Sequence, residues 1–150
     1  MKVIKSVTTT DDILTFSNID EYEYPMWVSG QAYVTSNRVI YKHKVYEAIV
    51  GVTSTTTPDL DQAKWLFVDD TNRYRMFNNV VSDKSSRMGG IHFTLRPSQV
   101  VTGLSLIGVS ATFVRVVVTD PVLGVIFDET KTLMDISNIV SYFDYFYEPL

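Results

Sequence analysis

His43 and His92 are the only histidines of this 150-residue chain, and the chain has no cysteine. Nucleophilic catalysis needs a base beside a Ser or Thr and a third group to orient that base. His43 falls in a turn between two strand patterns and His92 follows a Gly-Gly pair, so neither has such a context. A Gly-rich phosphate loop is missing as well, so no catalytic residue and no enzymatic activity are expected. Without Cys there is no disulfide framework, thiolate zinc site or Cys nucleophile. Carboxylates cluster at Asp11-Asp12, Asp20-Glu21-Glu23, Asp59 with Asp61, and Asp69-Asp70. Calcium favours several oxygen ligands, but none of these runs has the spacing of a calcium loop. They read as solvated loops or helix caps, and no metal or cofactor is expected. A glycosidase pair of carboxylates is defined by distance in space and not in sequence, although a chain of this size has little material for a substrate cleft.

The aromatic residues are more informative. Trp27, Tyr33, Tyr41, Tyr46 and Trp65 alternate with polar residues between positions 25 and 71. Exposed rings of this kind stack on the apolar faces of sugars, while the Tyr hydroxyl and Trp N–H still reach hydrogen bonds. The same rings could equally form the core of a module of about 45 residues, which has too little volume for a conventional one. Both readings stand at this point.

The elements that must hold these residues read as strands. Aromatics make up 13% of the chain, and Val and Thr are frequent; branched and aromatic side chains suit a pleated surface. Alternating patterns mark strands at 38–41, 44–50, 91–95, 104–107, 112–118, 125–127 and 142–146. Tyr41-Lys42-His43-Lys44 is short enough for a hairpin, positions 119–124 form a turn cluster, and Gly103 and Gly108 bracket one strand. Two short helical candidates lie at 11–16 and 61–65. A polar stretch rich in Asn, Ser and Gly suggests a linker at 79–90. The expected architecture is all-β: an N-terminal strand and short helix at 1–24, a small aromatic β domain at 25–78, and an antiparallel β-sandwich at 91–150.

Composition narrows the partners. Hydrophobic residues at 45% and charged residues at 20% are ordinary globular values. Thirteen basic against seventeen acidic side chains give a net charge of −4, which removes the electrostatic footprint of a nucleic-acid binder. No apolar run approaches the roughly 18 residues of a membrane-spanning helix, so no membrane insertion is expected. The N-terminus lacks the apolar segment of a secretory signal, and synthesis in a cytoplasm is expected. Positions 142–147 put five aromatics into six residues. One face of a lone sheet cannot bury them all, so Tyr142, Tyr145 and Tyr147 are candidate contacts with another subunit.

The run Trp27-Val28-Ser29-Gly30-Gln31-Ala32-Tyr33, then Arg38-Val39, Tyr41, Lys44-Val45-Tyr46-Glu47-Ala48, Pro58 and Lys64-Trp65-Leu66 resembles the small carbohydrate-binding modules of chitinase type, families five and twelve. Continued through Thr71-Asn72-Arg73, Met76-Phe77, Leu104-Ser105-Leu106-Ile107 and Tyr142-Phe143 to Glu148-Pro149, the order resembles a group of tailed-bacteriophage virion proteins over nearly the whole chain. Two positions depart from the pattern: Ser36 and His43 stand where the family has turn glycines. The resemblance implies a structural protein of the tail, baseplate or fibre attachment region, located in the virion. It would bind other tail or baseplate proteins, with further copies of itself as an additional partner. The alternative it implies is a receptor module for host polysaccharide, with Trp27, Tyr33, Tyr41, Tyr46 and Trp65 as the sugar-binding rings.

Overall fold

The structure, a computed structural model, describes residues 8–78, 80, 82–101 and 103–133. It is an all-β protein built of antiparallel sheets, with a single 3-10 turn at Arg75–Phe77 as the helical element among the described residues.

The strands are β1 (Leu14–Ser17), β2 (Ala32–Tyr33), β3 (Arg38–Tyr41), β4 (Lys44–Ala48), β5 (Val52–Thr53), β6 (Trp65–Asp70), β7 (Phe93–Leu95), β8 (Phe113–Asp120) and β9 (Gly124–Thr132). The central sheet has the order β3-β4-β6, and three two-stranded sheets pair β1 with β7, β2 with β5, and β8 with β9. Contacts group the chain into two compact units, Met1–Gly108 and Val109–Leu150.

In the first unit, the hairpin register Val39↔Tyr46 and Ile40↔Val45 explains why consecutive residues are all buried. Opposed residues share a face and successive residues alternate, so the two pairs line opposite faces of the sheet. Val39, Tyr46 and Ala48 join Tyr33, Val52 and Trp65 in one core cluster, with Trp27 and Tyr41 packed against it. The hairpin turn Lys42-His43 has positive φ at both residues, 49° and 62°. That is the primed geometry whose twist matches the flanking strands. Ser36 has φ 70° in the turn that Asn37 N–H closes on Val34 O at 3.0 Å. Ser36 and His43 therefore both occupy left-handed positions, where a side chain is strained.

Several elements differ from the sequence reading. The segment at 11–16 makes a turn and then enters β1, because Leu14 finds a strand partner in Leu95. The segment at 61–65, by contrast, makes the single turn that its sequence suggests, in which Asp61 O accepts from the N–H groups of Lys64 and Trp65, before β6 begins. No strand forms at 104–107, whose side chains are exposed. The polar stretch at 79–90 lies inside the first unit: Ser85 Oγ donates to Asn72 O, Ser86 N–H donates to Asn72 Oδ1 at 2.8 Å, and Met76 N–H donates to Ser85 Oγ at 3.0 Å. Strand β7 beyond it pairs back onto β1, so the division falls after Gly108. In the second unit the described part of the expected sandwich is the long β8–β9 hairpin. The strand expected at 142–146, with Tyr142, Tyr145 and Tyr147, lies outside the described residues.

Candidate functional site

All five aromatic candidates come together in the first unit, chiefly as a core. Trp65 is only 2% exposed and meets Tyr33 edge to face at 5.2 Å. The Tyr33 hydroxyl is held by the Val28 backbone, accepting from its N–H at 2.7 Å. Tyr33, Tyr46 and Trp65 are thus buried, while Trp27 and Tyr41, edge to face at 5.5 Å, stay half-buried at the rim. Spacing brought these rings together correctly; it could not say which side of the sheet they face.

Beside this core lies a groove of about 540 Å³ lined by Lys44, Tyr46, Pro58, Asp59, Gln62 and Phe67 among others. Phe67, which the sequence reading passed over, is half exposed and meets Tyr46 edge to face at 6.0 Å. Lys44 Nζ sits 5.3 Å from its ring centroid. Asp59 accepts from Thr57 Oγ1 and from Lys42 Nζ at 2.9 Å. The Thr57 hydrogen bond first, then Lys42, holds its carboxyl below the usual range. Burial pushes the Tyr46 phenol up.

A second polar cluster gathers around His43. Its Nδ1 lies 2.9 Å from both carboxylate oxygens of Glu21, and its Nε2 lies 2.9 Å from Asp11 Oδ1. Thr71 Oγ1 donates to Glu21, the Tyr74 hydroxyl donates to Asp11, and the Tyr74 ring stacks on the imidazole at 4.2 Å. Partial burial alone would lower the His43 pKa, but the hydrogen bonds to Glu21 and Asp11 outweigh it and raise it. Asp11 is held below its usual range, first by Tyr74 and then by His43. The cluster borders a cleft of about 350 Å³ that Thr9, Lys42, Asp70 and Phe77 also line.

While it is protonated and donates to carboxylates from both ring nitrogens, this imidazole has no lone pair to act as a base. Because those nitrogens point in opposite directions, Asp11 and Glu21 cannot converge with it on one ion, and among the described residues no group of three potential ligands does so. The cluster joins four distant stretches of chain, so it was invisible to spacing: Asp11 and Glu21 stand 32 and 22 residues from His43, and Thr71 stands 50 from Glu21.

The second unit shows a different feature. Along β8–β9, Phe113, Val117, Val118, Val125, Ile126 and Phe127 are exposed, and at the hairpin tip Val122 and Leu123 are 89% and 77% exposed. Comparison with family models, curated proteins and solved structures finds no match for the chain.

Proposed function

We propose that this chain is a structural component of a tailed-bacteriophage virion, in the tail, baseplate or fibre attachment region, and that it acts by protein–protein assembly. The virion assignment rests on the sequence resemblance. The mode of action rests on one observation, the apolar surface of the β8–β9 hairpin. Phe113 and Val117 lie on one face and Val118 and Phe127 on the other, so folding the ribbon onto any single surface leaves apolar side chains in water. A two-stranded ribbon is marginal alone, and a large exposed apolar surface marks a contact site. Mass spectrometry of density-gradient-purified particles tests the reading: a copy number that follows tail symmetry supports it, and absence of the chain from particles refutes it.

A second reading, binding of host polysaccharide, is favoured by the groove beside Phe67. There an exposed ring adjoins Gln62 and Lys44, groups able to hydrogen-bond sugar hydroxyls. A glycan array separates the two readings, since only the second expects retention that is lost in Phe67→Ala.

A further inference from the structure

Strand β9 carries a pattern that its own hairpin does not use. All nine of its residues are exposed, and among the described residues its only neighbour is β8. Leu133 N–H donates to Thr112 O at 2.9 Å just beyond the strand end. Backbone groups alternate sides along a strand, so Glu129 and Lys131 turn their N–H and C=O toward β8, and Asp128, Thr130 and Thr132 turn theirs outward. The outer edge therefore presents a row of donors and acceptors with no proline, the kind of edge that templates pairing with another chain.

The side chains along this edge are self-complementary about Thr130. One position to either side stand Glu129 and Lys131, and three positions to either side stand Phe127 and Leu133. On the opposite face Arg115 and Asp128 are already bonded to each other, at 2.8 Å through Nε and 2.6 Å through Nη2. Glu129 and Lys131 form no ion pair among the described residues.

We propose that two copies of this chain pair β9 to β9, antiparallel about Thr130, into one four-stranded sheet of order β8-β9-β9-β8. Thr130 faces its counterpart and Asp128 faces Thr132 of the second copy at hydrogen-bonded positions. Glu129 and Lys131 face each other across the seam at the non-hydrogen-bonded positions, where opposed Cα atoms approach to about 4.5 Å and side-chain pairs couple most strongly. Phe127 meets Leu133 of the second copy on the same face. The register is specified: sliding by two residues keeps the outward hydrogen bonds but sets Glu129 against Glu129 or Lys131 against Lys131, and directly opposed like charges destabilise. The pairing deepens the assembly reading, naming a second copy as the occupant of this edge.

Sedimentation equilibrium of the full chain tests it. Wild type is expected to be a dimer whose affinity falls with salt. Lys131→Glu, which opposes like charges twice, should weaken dimerisation about tenfold or more, and the double variant Glu129→Lys/Lys131→Glu should restore it. Thr130→Pro, which removes an outward donor and leaves the β8 ladder intact, should also give monomer. A monomeric wild type, as when the chain's own residues after 133 cover the edge, overturns the pairing, and so does a charge swap that fails to rescue. A monomer still found in purified virions defeats the self-pairing alone; a dimer absent from virions defeats the virion reading alone.

Discussion

His43 donates its Nδ1–H to Glu21 at 2.9 Å across 22 residues of sequence, fastening the segment before β2 to the β3–β4 turn. The Nε2–H does the same for Asp11, so the bridge is complete only while the imidazole is protonated. On deprotonation one ring nitrogen becomes an acceptor and faces a carboxylate with nothing to share.

The pH dependence follows from the direction of the shift. Because the His43 pKa is raised in the folded state, its contribution is fully present below the unfolded-state value and is lost as pH rises through the folded one. The side chain remains 35% exposed, so solvent screening limits the effect to about 0.5 kcal/mol. Lys42, Lys44, Asp70 and Arg73 lie near the cluster and add a background. The measurement is therefore a difference. Urea melts of wild type and His43→Asn, which tolerates left-handed backbone but does not titrate, should diverge at mildly acidic pH and converge in alkali. A gap that widens with pH contradicts the bridge. Glu21→Gln should cost about 1–3 kcal/mol, since Glu21 is the more buried carboxylate and also accepts from the fully buried Thr71.

The turns yield a prediction of opposite sign. Ser36 has φ 70°, and a non-glycine residue there stores about 1–2 kcal/mol of strain. Ser36→Gly relieves it, less the added freedom of the unfolded chain, and should raise stability by about 0.5–1 kcal/mol in thermal or denaturant melts. Unchanged or lower stability would show that the Ser36 side chain has a role of its own in that turn.

The parts of the fold legible in the sequence were those set by neighbours in the chain. The β3–β4 hairpin shows because the apolar runs Val39-Ile40-Tyr41 and Val45-Tyr46 flank a two-residue turn, and the β8–β9 hairpin shows because Asp120 and Gly124 mark its reversal. What pairing across long separations decides was not legible. Leu14 enters a strand because Leu95 lies opposite, which overrides the local helical signal of Asp11 and Asp12. The stretch after Asn78 looked like a linker because its polar side chains resemble a solvated loop, yet Ser85 Oγ donates to the Asn72 backbone and the Asn72 side chain bonds the Ser86 backbone. Strand β9 extends past its apolar part, through Asp128 to Thr132, because these residues pair with Phe113 to Val117 of β8, and with both faces in solvent no period marks them as strand. The aromatic cluster was found, but its role as core depends on Trp65 pointing inward, which sequence alone does not fix.

Trp65 and Trp27 should separate in stability. Trp65→Ala empties the centre of the core and should cost about 3–5 kcal/mol. Trp27→Ala, at the half-buried rim, should cost clearly less. Trp65 Nε1 is buried without a hydrogen-bond partner among the described residues, so Trp65→Phe removes an unpaired donor as well as volume. It should cost less than its lost area suggests. Chemical denaturation of the three variants should place Trp65→Ala lowest, with Trp65→Phe and Trp27→Ala between it and wild type. Equal costs for Trp27→Ala and Trp65→Ala would contradict the core assignment.

Limited proteolysis distinguishes the two possible division points. Residues 79–90 carry many of the expected marks of a cleavage site, being polar and rich in Ser and Gly, but Asn78 Nδ2 donates to Asp83 Oδ2 at 2.7 Å and Asn72 bonds both Ser85 and Ser86. A protease must draw about ten residues of extended backbone into its cleft, so bonded segments resist cutting while exposed, unbonded ones yield. Residues 103–111 are exposed and outside any strand, and the contact boundary follows Gly108. The first cut is expected there, at Leu104, Leu106 or Ile107 with a protease that prefers apolar side chains. The larger product should retain the near-ultraviolet dichroism of the buried Trp65 and Tyr33 pair, because that core lies wholly in the first unit. Initial cutting between 79 and 90 would place the boundary before β7 instead, and loss of that signal as soon as the second unit is released would contradict a core held wholly in the first unit.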